Sequence, residues 1–244
     1  MRSKIFFLLL LFSFSHSLSF IKIGHRGACG YEPENTLRSF LKALELGCDM
    51  VELDVHLCAS GELVVIHDET VDRTTNGTGF VSEKTCDELK TFDAGKGECI
   101  PTLREVLDAV DRRMKINIEL KGRGTADSVV QLIKEYVQEK NWNYGDFLVT
   151  SFDHYALQKI SKANAKIPLG ILVYCASICA DHMARAVGAC CVVVNHKVVH
   201  KKFVDDLHAQ GLSVFVFSIN DPDGVVNAQN CAVDGIISDV PDIL

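Results

Sequence analysis

Two histidines stand where apolar runs give way to polar residues: His25 after Ile21–Gly24, and His67 after Leu63–Ile66. Imidazoles titrate near neutral pH, so a pair of them suits the removal of one proton and the delivery of another. Glu52 and Asp54 sit two apart in an apolar run, and Glu119 and Lys121 repeat that spacing in a second run. In extended backbone this spacing points both side chains to one face. Carboxylates on such strands are costly to bury unless they are paired or bound to metal. Glu52, Asp54 and Glu119 therefore read as ligands of one divalent cation, Mg²⁺ or Ca²⁺, which carboxylate oxygens suit. An ion-pair network with Arg26 and Lys121 is the other reading of the same acids. The histidines at strand ends tip the balance towards a site. Phosphodiester hydrolysis accounts for the whole set, because charge developing on phosphate needs cations such as Arg26, Lys121 and a metal. The other histidines read as surface or structural residues, with His56 set apart because it continues the Glu52–Asp54 face.

Elements must bring these residues together. Strands are predicted at Ile21–Gly24, Met50–Val55, Leu63–His67, Lys115–Leu120, Phe147–Ser151, Leu169–Val173, Cys191–Asn195, Ser213–Ile219 and Gly235–Ser238. Helices are predicted at Thr36–Leu46, Leu103–Val110, Ala126–Lys140, His154–Ala163, Cys179–Val187 and Lys201–Gln210. In the first of these, Leu37, Phe40, Leu41 and Leu44 form a stripe, with Asn35 or Thr36 as cap and Gly47 as stop. Apolar strands alternating with helices indicate a parallel sheet buried on both faces. The number of units points to a closed (β/α)₈ TIM barrel, whose strand ends meet at one rim. Nine strands is one too many. The gap Ser60-Gly61 is too short for a crossover helix, so the runs on either side of it pair locally or lie obliquely. Residues 68–100 hold turn formers and read as an insertion over one end of the barrel.

The 244 residues are 48% hydrophobic and 23% charged, which supports a folded domain with a sizeable core. A net charge of −7 speaks against a nucleic-acid binder. Arg2 and Lys4 precede the apolar run Ile5–Phe14, and polar and small residues follow it. Residues 1–19 thus have the layout of a secretory signal, implying a secreted or periplasmic protein. An uncleaved membrane anchor, or a cytoplasmic protein with an extended first strand, is the alternative. The ten cysteines show no zinc spacing and read mainly as small buried apolar residues.

Several strings, taken in order, resemble the glycerophosphodiester phosphodiesterase family. They are His25-Arg26-Gly27-Ala28, Pro33-Glu34-Asn35-Thr36, Val51–Val55 and the strand ending in His67-Asp68. Asp72–Gly79, Ile100–Leu103, Asn117–Lys121, Ser151-Phe152 and Val233–Asp239 follow in the family's order. The resemblance spans Ile21 to Leu244. It implies a TIM-barrel domain over 20–244 with a small insertion at 68–100. It implies hydrolysis of a small-molecule glycerophosphodiester, such as glycerophosphocholine or glycerophosphoethanolamine, to glycerol 3-phosphate and an alcohol. By the same resemblance His25 and His67 are acid and base, Glu52, Asp54 and Glu119 hold the metal, and Arg26 and Lys121 contact phosphate. Lipid-derived substrates would bring the protein near membranes. Family members often carry a tryptophan where this chain has Phe217, which keeps an aromatic wall but lacks the indole N–H. The rival readings are a phospholipase D-like or other lipid phosphodiesterase on the same barrel, and a non-catalytic protein that binds a headgroup or metal.

Overall fold

A computed structural model describes residues 20–244; the segment read as an export signal, 1–19, lies outside the described residues. Nine strands run β1 (Ile21–Gly24), β2 (Met50–Leu57), β3 (Leu63–Val65), β4 (Lys115–Leu120), β5 (Phe147–Ser151), β6 (Leu169–Val173), β7 (Cys191–Asn195), β8 (Ser213–Phe217) and β9 (Gly235–Ser238). Eight of them are parallel and closed, because β1 pairs with β9 on one side and with β2 on the other. The ninth is β3. It folds back antiparallel on β2, with Val55 opposite Val65, so the short gap at Ser60-Gly61 makes a local hairpin.

Alternation along the strands decides which side chains face inward. Ile23, Met50, Leu148, Leu172, Cys191, Val193, Phe215 and Ile237 form one buried cluster inside the barrel. The intervening residues, such as Val51, Leu53, Ile116, Ile118, Val192, Val214 and Ile236, pack outward against the helices. Gly235 sits where an added Cβ would come 2.8 Å from the Phe215 ring, so the interior is filled by that ring.

Helices α1 (Leu37–Glu45), α3 (Leu103–Val110), α4 (Thr125–Glu139), α5 (His154–Ala163), α6 (Ala180–Val187) and α7 (Lys201–His208) fall where the apolar stripes predict them, to within two residues at each end. Thr36 is the cap of α1: its hydroxyl accepts from the Ser39 N–H at 3.2 Å. Two further helices escape the pattern. α2 (Cys86–Lys90) is a single turn carried by the Thr85–Glu88 capping box. α8 (Pro222–Cys231) buries only Val225, Ala228 and Cys231, too thin a stripe to stand out in a sequence with Pro222, Gly224 and two asparagines. Trp142 stacks on Phe147 at 5.0 Å and meets Tyr136 edge-on, so it is a packing residue.

Between β3 and α3 the chain carries its own apolar cluster, with Val71, Val81, Leu89, Ala94 and Ile100 gathered against Val64 and Ile66. The cysteines depart from the sequence expectation. Cys48, Cys58, Cys191 and Cys231 are buried, but Cys175, Cys179 and Cys190 are exposed. Among the described residues no helix is long and apolar enough to cross a membrane.

Candidate active site

The inner-face alternation that fills the barrel with Ile23, Met50, Leu172, Phe215 and Ile237 continues past them to the C-terminal strand ends. On β1 it leads to His25, on β2 to Glu52, Asp54 and His56, on β4 to Glu119 and Lys121, and past β9 to Asp239. Parallel register keeps the levels: Asp54 lies opposite Glu119, and Glu119 opposite Thr150. His25, Glu52, Asp54, Glu119 and Lys121 therefore meet on one side of one rim. A surface cavity of about 640 Å³ lies elsewhere, beside Leu63 and Gln131, and none of these residues lines it.

A tight turn after β1 delivers the first of them. Arg26 (φ 50°) and Gly27 (φ 85°) both occupy the left-handed region. A Cβ on Gly27 would fall 2.6 Å from the Ser39 carbonyl carbon in α1, so only glycine lets the turn seat on the helix. The turn aims the Arg26 N–H at Glu52 Oε2, 2.9 Å away.

The three acids form a compact group: oxygens of Glu52, Asp54 and Glu119 all lie within 4.8 Å of one another. Glu52 and Asp54 are 3% and 1% exposed, so water does not screen them. Burial first, and then the Asp54 charge, raises the pKa of both Glu52 and Glu119. Asn35 Nδ2 donates to Asp54 Oδ2 at 2.9 Å. Arg26 Nε stands 3.5 Å from that same oxygen, close enough for attraction but without a formed hydrogen bond. Lys121 Nζ lies 3.0 Å from Glu119 Oε1. Asp54 Oδ1 is buried with no hydrogen-bond partner among the described residues. An orphan carboxylate oxygen facing two further carboxylates is costly as it stands. The donor set is all oxygen and matches a hard divalent cation.

Each histidine is held through Nδ1 by a carboxylate. His25 Nδ1 meets Asp239 Oδ1 at 2.5 Å, and His67 Nδ1 meets Asp68 Oδ1 at 2.6 Å. Neither Nε2 has a hydrogen-bond partner among the described residues, so both are left for a ligand. The environments differ. Burial lowers the His25 pKa, but Asp239 and Glu52 outweigh it and the net direction is up. For His67 burial prevails and the net direction is down.

Further residues hold these in place. Asn220 Nδ2 donates to Asp239 Oδ2 at 2.6 Å, and the Cys29 thiol donates to Asp239 Oδ1 at 3.2 Å. Burial raises the Asp239 pKa, but His25, Cys29 and Asn220 together pull it down to about 2. Arg73 joins Asp68 (2.6 Å) to Glu34 (2.8 Å), and Glu34 holds Arg26 Nη1 at 2.7 Å. The segment after β3 is thereby tied to the site by charge. His56 is buried, which lowers its pKa, and its Nε2 bonds the His67 carbonyl oxygen at 3.1 Å. Asp239, Glu34, Arg73 and His56 were not read as site residues from the sequence. Asp239 could have been, since it lies two beyond the inward Ile237; Arg73 could not, because its partner Glu34 is 39 positions away in another loop.

The other side of the rim is aromatic. Phe217 is half-buried against the inner cluster and stands edge-on to Phe152 at 6.3 Å. Phe152 in turn is stacked with Tyr174 at 4.2 Å and 13°.

The Asp239 contact gives a direct prediction. Replacing Asp239 by asparagine removes the largest influence raising the His25 pKa, so in metal-free protein its titration midpoint should fall. The sign for stability follows. A histidine whose folded pKa lies above its unfolded value stabilises the fold below about pH 6.5, and that contribution fades as pH rises through the folded value. Imidazole NMR titration of wild type and Asp239→Asn measures this, and an unchanged or higher midpoint in the variant contradicts it.

The model of the "Glycerophosphoryl diester phosphodiesterase family" matches residues 25–243. A glycerophosphodiester phosphodiesterase of Caldanaerobacter subterraneus subsp. tengcongensis is 37% identical over 235 residues, covering 91% of this chain and 95% of its own. One from Bacillus altitudinis is 36% identical over 234 residues, covering 89% and 94%. A phosphodiesterase of Oleispira antarctica, solved in complex with the product sn-glycerol-3-phosphate, superposes with a TM-score of 0.82 at 30% identity, covering 90% of this chain and 93% of its own.

Proposed function

The chain belongs to the glycerophosphodiester phosphodiesterase family, and from that premise we propose how it cleaves glycerophosphodiesters into glycerol 3-phosphate and an alcohol. The observation that carries the reading is the rim itself: three clustered acids, two of them buried, with an orphan oxygen at Asp54, lying on the same rim as two carboxylate-anchored histidines.

Glu52, Asp54 and Glu119 would hold a divalent cation, which when bound supplies Lewis-acid stabilisation to phosphate oxygens. Arg26 and Lys121 flank the acids and offer cations to the remaining phosphate charge. Lys121 is kept charged, since Glu119 and Asp54 outweigh the opposing effect of burial. His25 and His67 present Nε2 to the substrate. One takes the proton of the attacking nucleophile and the other gives one to the leaving alkoxide. Asp239 and Asp68 fix the two rings through Nδ1 and stabilise the imidazolium form of each. The function needs no basic surface, which agrees with a net charge of −7.

The test is product identity. Purified protein with Mg²⁺ or Ca²⁺ should release glycerol 3-phosphate from glycerophosphocholine and glycerophosphoethanolamine, as read by a coupled dehydrogenase assay. Turnover of intact sphingomyelin with none of these two would favour the rival lipid phosphodiesterase. Binding without turnover of any would favour a non-catalytic protein.

A further inference from the structure

The rim has two chemically different halves, and the proposed mechanism uses only one. The ends of β1, β2, β3, β4 and β9 contribute the histidines, acids and cations. β5, β6 and β8 contribute rings. Phe152 follows the end of β5, Tyr174 follows the end of β6, and Phe217 ends β8. Register makes the division concrete. Glu119 pairs with Thr150, so Phe152 is level with Lys121 on the neighbouring strand. Phe215 pairs with Gly235, so Phe217 is level with Ile237, two residues short of Asp239.

The rings form one continuous wall. Phe217 is edge-on to Phe152, and Tyr174 lies nearly parallel to Phe152 at 4.2 Å. Phe152 and Phe217 are half-buried, but Tyr174 is 71% exposed. An exposed large ring laid flat on a half-buried one at a site mouth is an apolar surface awaiting a ligand. The Tyr174 hydroxyl has no hydrogen-bond partner among the described residues, so nothing polar explains its placement.

We propose that this aromatic wall, with Tyr174 at its outer edge, receives the alcohol half of the substrate and selects a quaternary ammonium headgroup. The proposal rests on the phosphodiesterase reading above. A phosphate held at Lys121 and Arg26 places one ester substituent towards β5 and β6. There the chain offers π faces, and the Asp153 side chain is turned to the N-terminus of α5. Asp153 Oδ1 is spent capping α5, accepting from Tyr155 and Ala156 N–H, and Asn195 Oδ1 accepts from Lys197 N–H. A primary ammonium pressed against rings would lose water from N–H groups that find no acceptor. A trimethylammonium has no such donors and gains the electrostatic attraction of the ring faces. Tyr174 is thus a specificity residue and no part of the proton-transfer machinery.

The experiment compares kcat/KM for glycerophosphocholine, glycerophosphoethanolamine and glycerophosphoglycerol in wild type, Tyr174→Leu and Tyr174→Phe. Wild type should prefer the choline diester over both others. In Tyr174→Leu that preference should shrink by about tenfold, mainly through KM, while Tyr174→Phe should keep it because the ring remains. An equal fall for all three substrates would place their common glycerol against the wall and overturn the proposal. So would an unchanged preference in Tyr174→Leu, or a wild type with no choline preference. A wild type that cleaves none of the three overturns the phosphodiesterase reading instead. Thermal unfolding of each variant separates loss of fold from loss of selectivity.

Discussion

His67→Ala and His25→Ala are each expected to lower kcat/KM for a glycerophosphodiester by about 10²- to 10⁴-fold, the usual contribution of a positioned proton-transfer group. The expectation comes from geometry. Each ring is clamped through Nδ1 by one carboxylate and leaves Nε2 unbonded among the described residues, which a purely structural histidine would not need. His56 is the internal contrast, because it is buried and its Nε2 is engaged with the His67 carbonyl oxygen. Both alanine variants should remain folded, since His25 and His67 are only half-buried and truncation leaves no sealed cavity. The measurement is steady-state kinetics beside thermal unfolding. A folded variant within a few-fold of wild type, at either position, removes that histidine from the mechanism.

These two residues also show what the sequence could and could not convey. Strand alternation was visible in it, and it placed Glu52 with Asp54, and Glu119 with Lys121, on one face of their strands. The count of nine strands even signalled that one lay outside the barrel, and β3 is that one. The partners of the histidines were less accessible. Asp239 is 214 positions from His25 and reaches it only because β9 closes the barrel against β1. Closure is a property of the whole sheet, and no local window contains it. Arg73 and Glu34 are 39 positions apart and belong to loops, where there is no periodicity to read. Helix α8 was missed because propensity and stripe were both weak, and burial against the barrel holds it. Phe217 was legible as an aromatic residue on a strand end. Its continuation through Phe152 to Tyr174 was not, because those rings come from three different strand ends.

Glu52→Gln should separate the cost of the acid cluster from its use. The substitution keeps the size of the side chain and an oxygen able to accept from the Arg26 N–H. Without metal, the wild-type cluster is strained by charge: burial and Asp54 raise the Glu52 pKa above its ordinary value. An acid whose folded pKa is raised makes the folded state bind a proton more tightly than the unfolded state. Metal-free wild type should therefore lose stability as pH rises from about 4.5 towards the raised value. Glu52→Gln removes that group, so its metal-free Tm should be equal or higher above pH 5 and its pH slope flatter. Added Mg²⁺ or Ca²⁺ should reverse the ranking. A cation at 100 times its Kd stabilises the protein to which it binds by about 2.7 kcal/mol, and the variant, with one ligand fewer, should need far more cation for the same gain. Its kcat/KM should fall at least about 100-fold, as metal-site damage commonly does. Thermal shifts against cation concentration, with chelator as the zero point, test both halves. A wild-type cation response in Glu52→Gln, or full wild-type turnover in chelator, would mean that the acids serve only the ion pairs with Arg26 and Lys121.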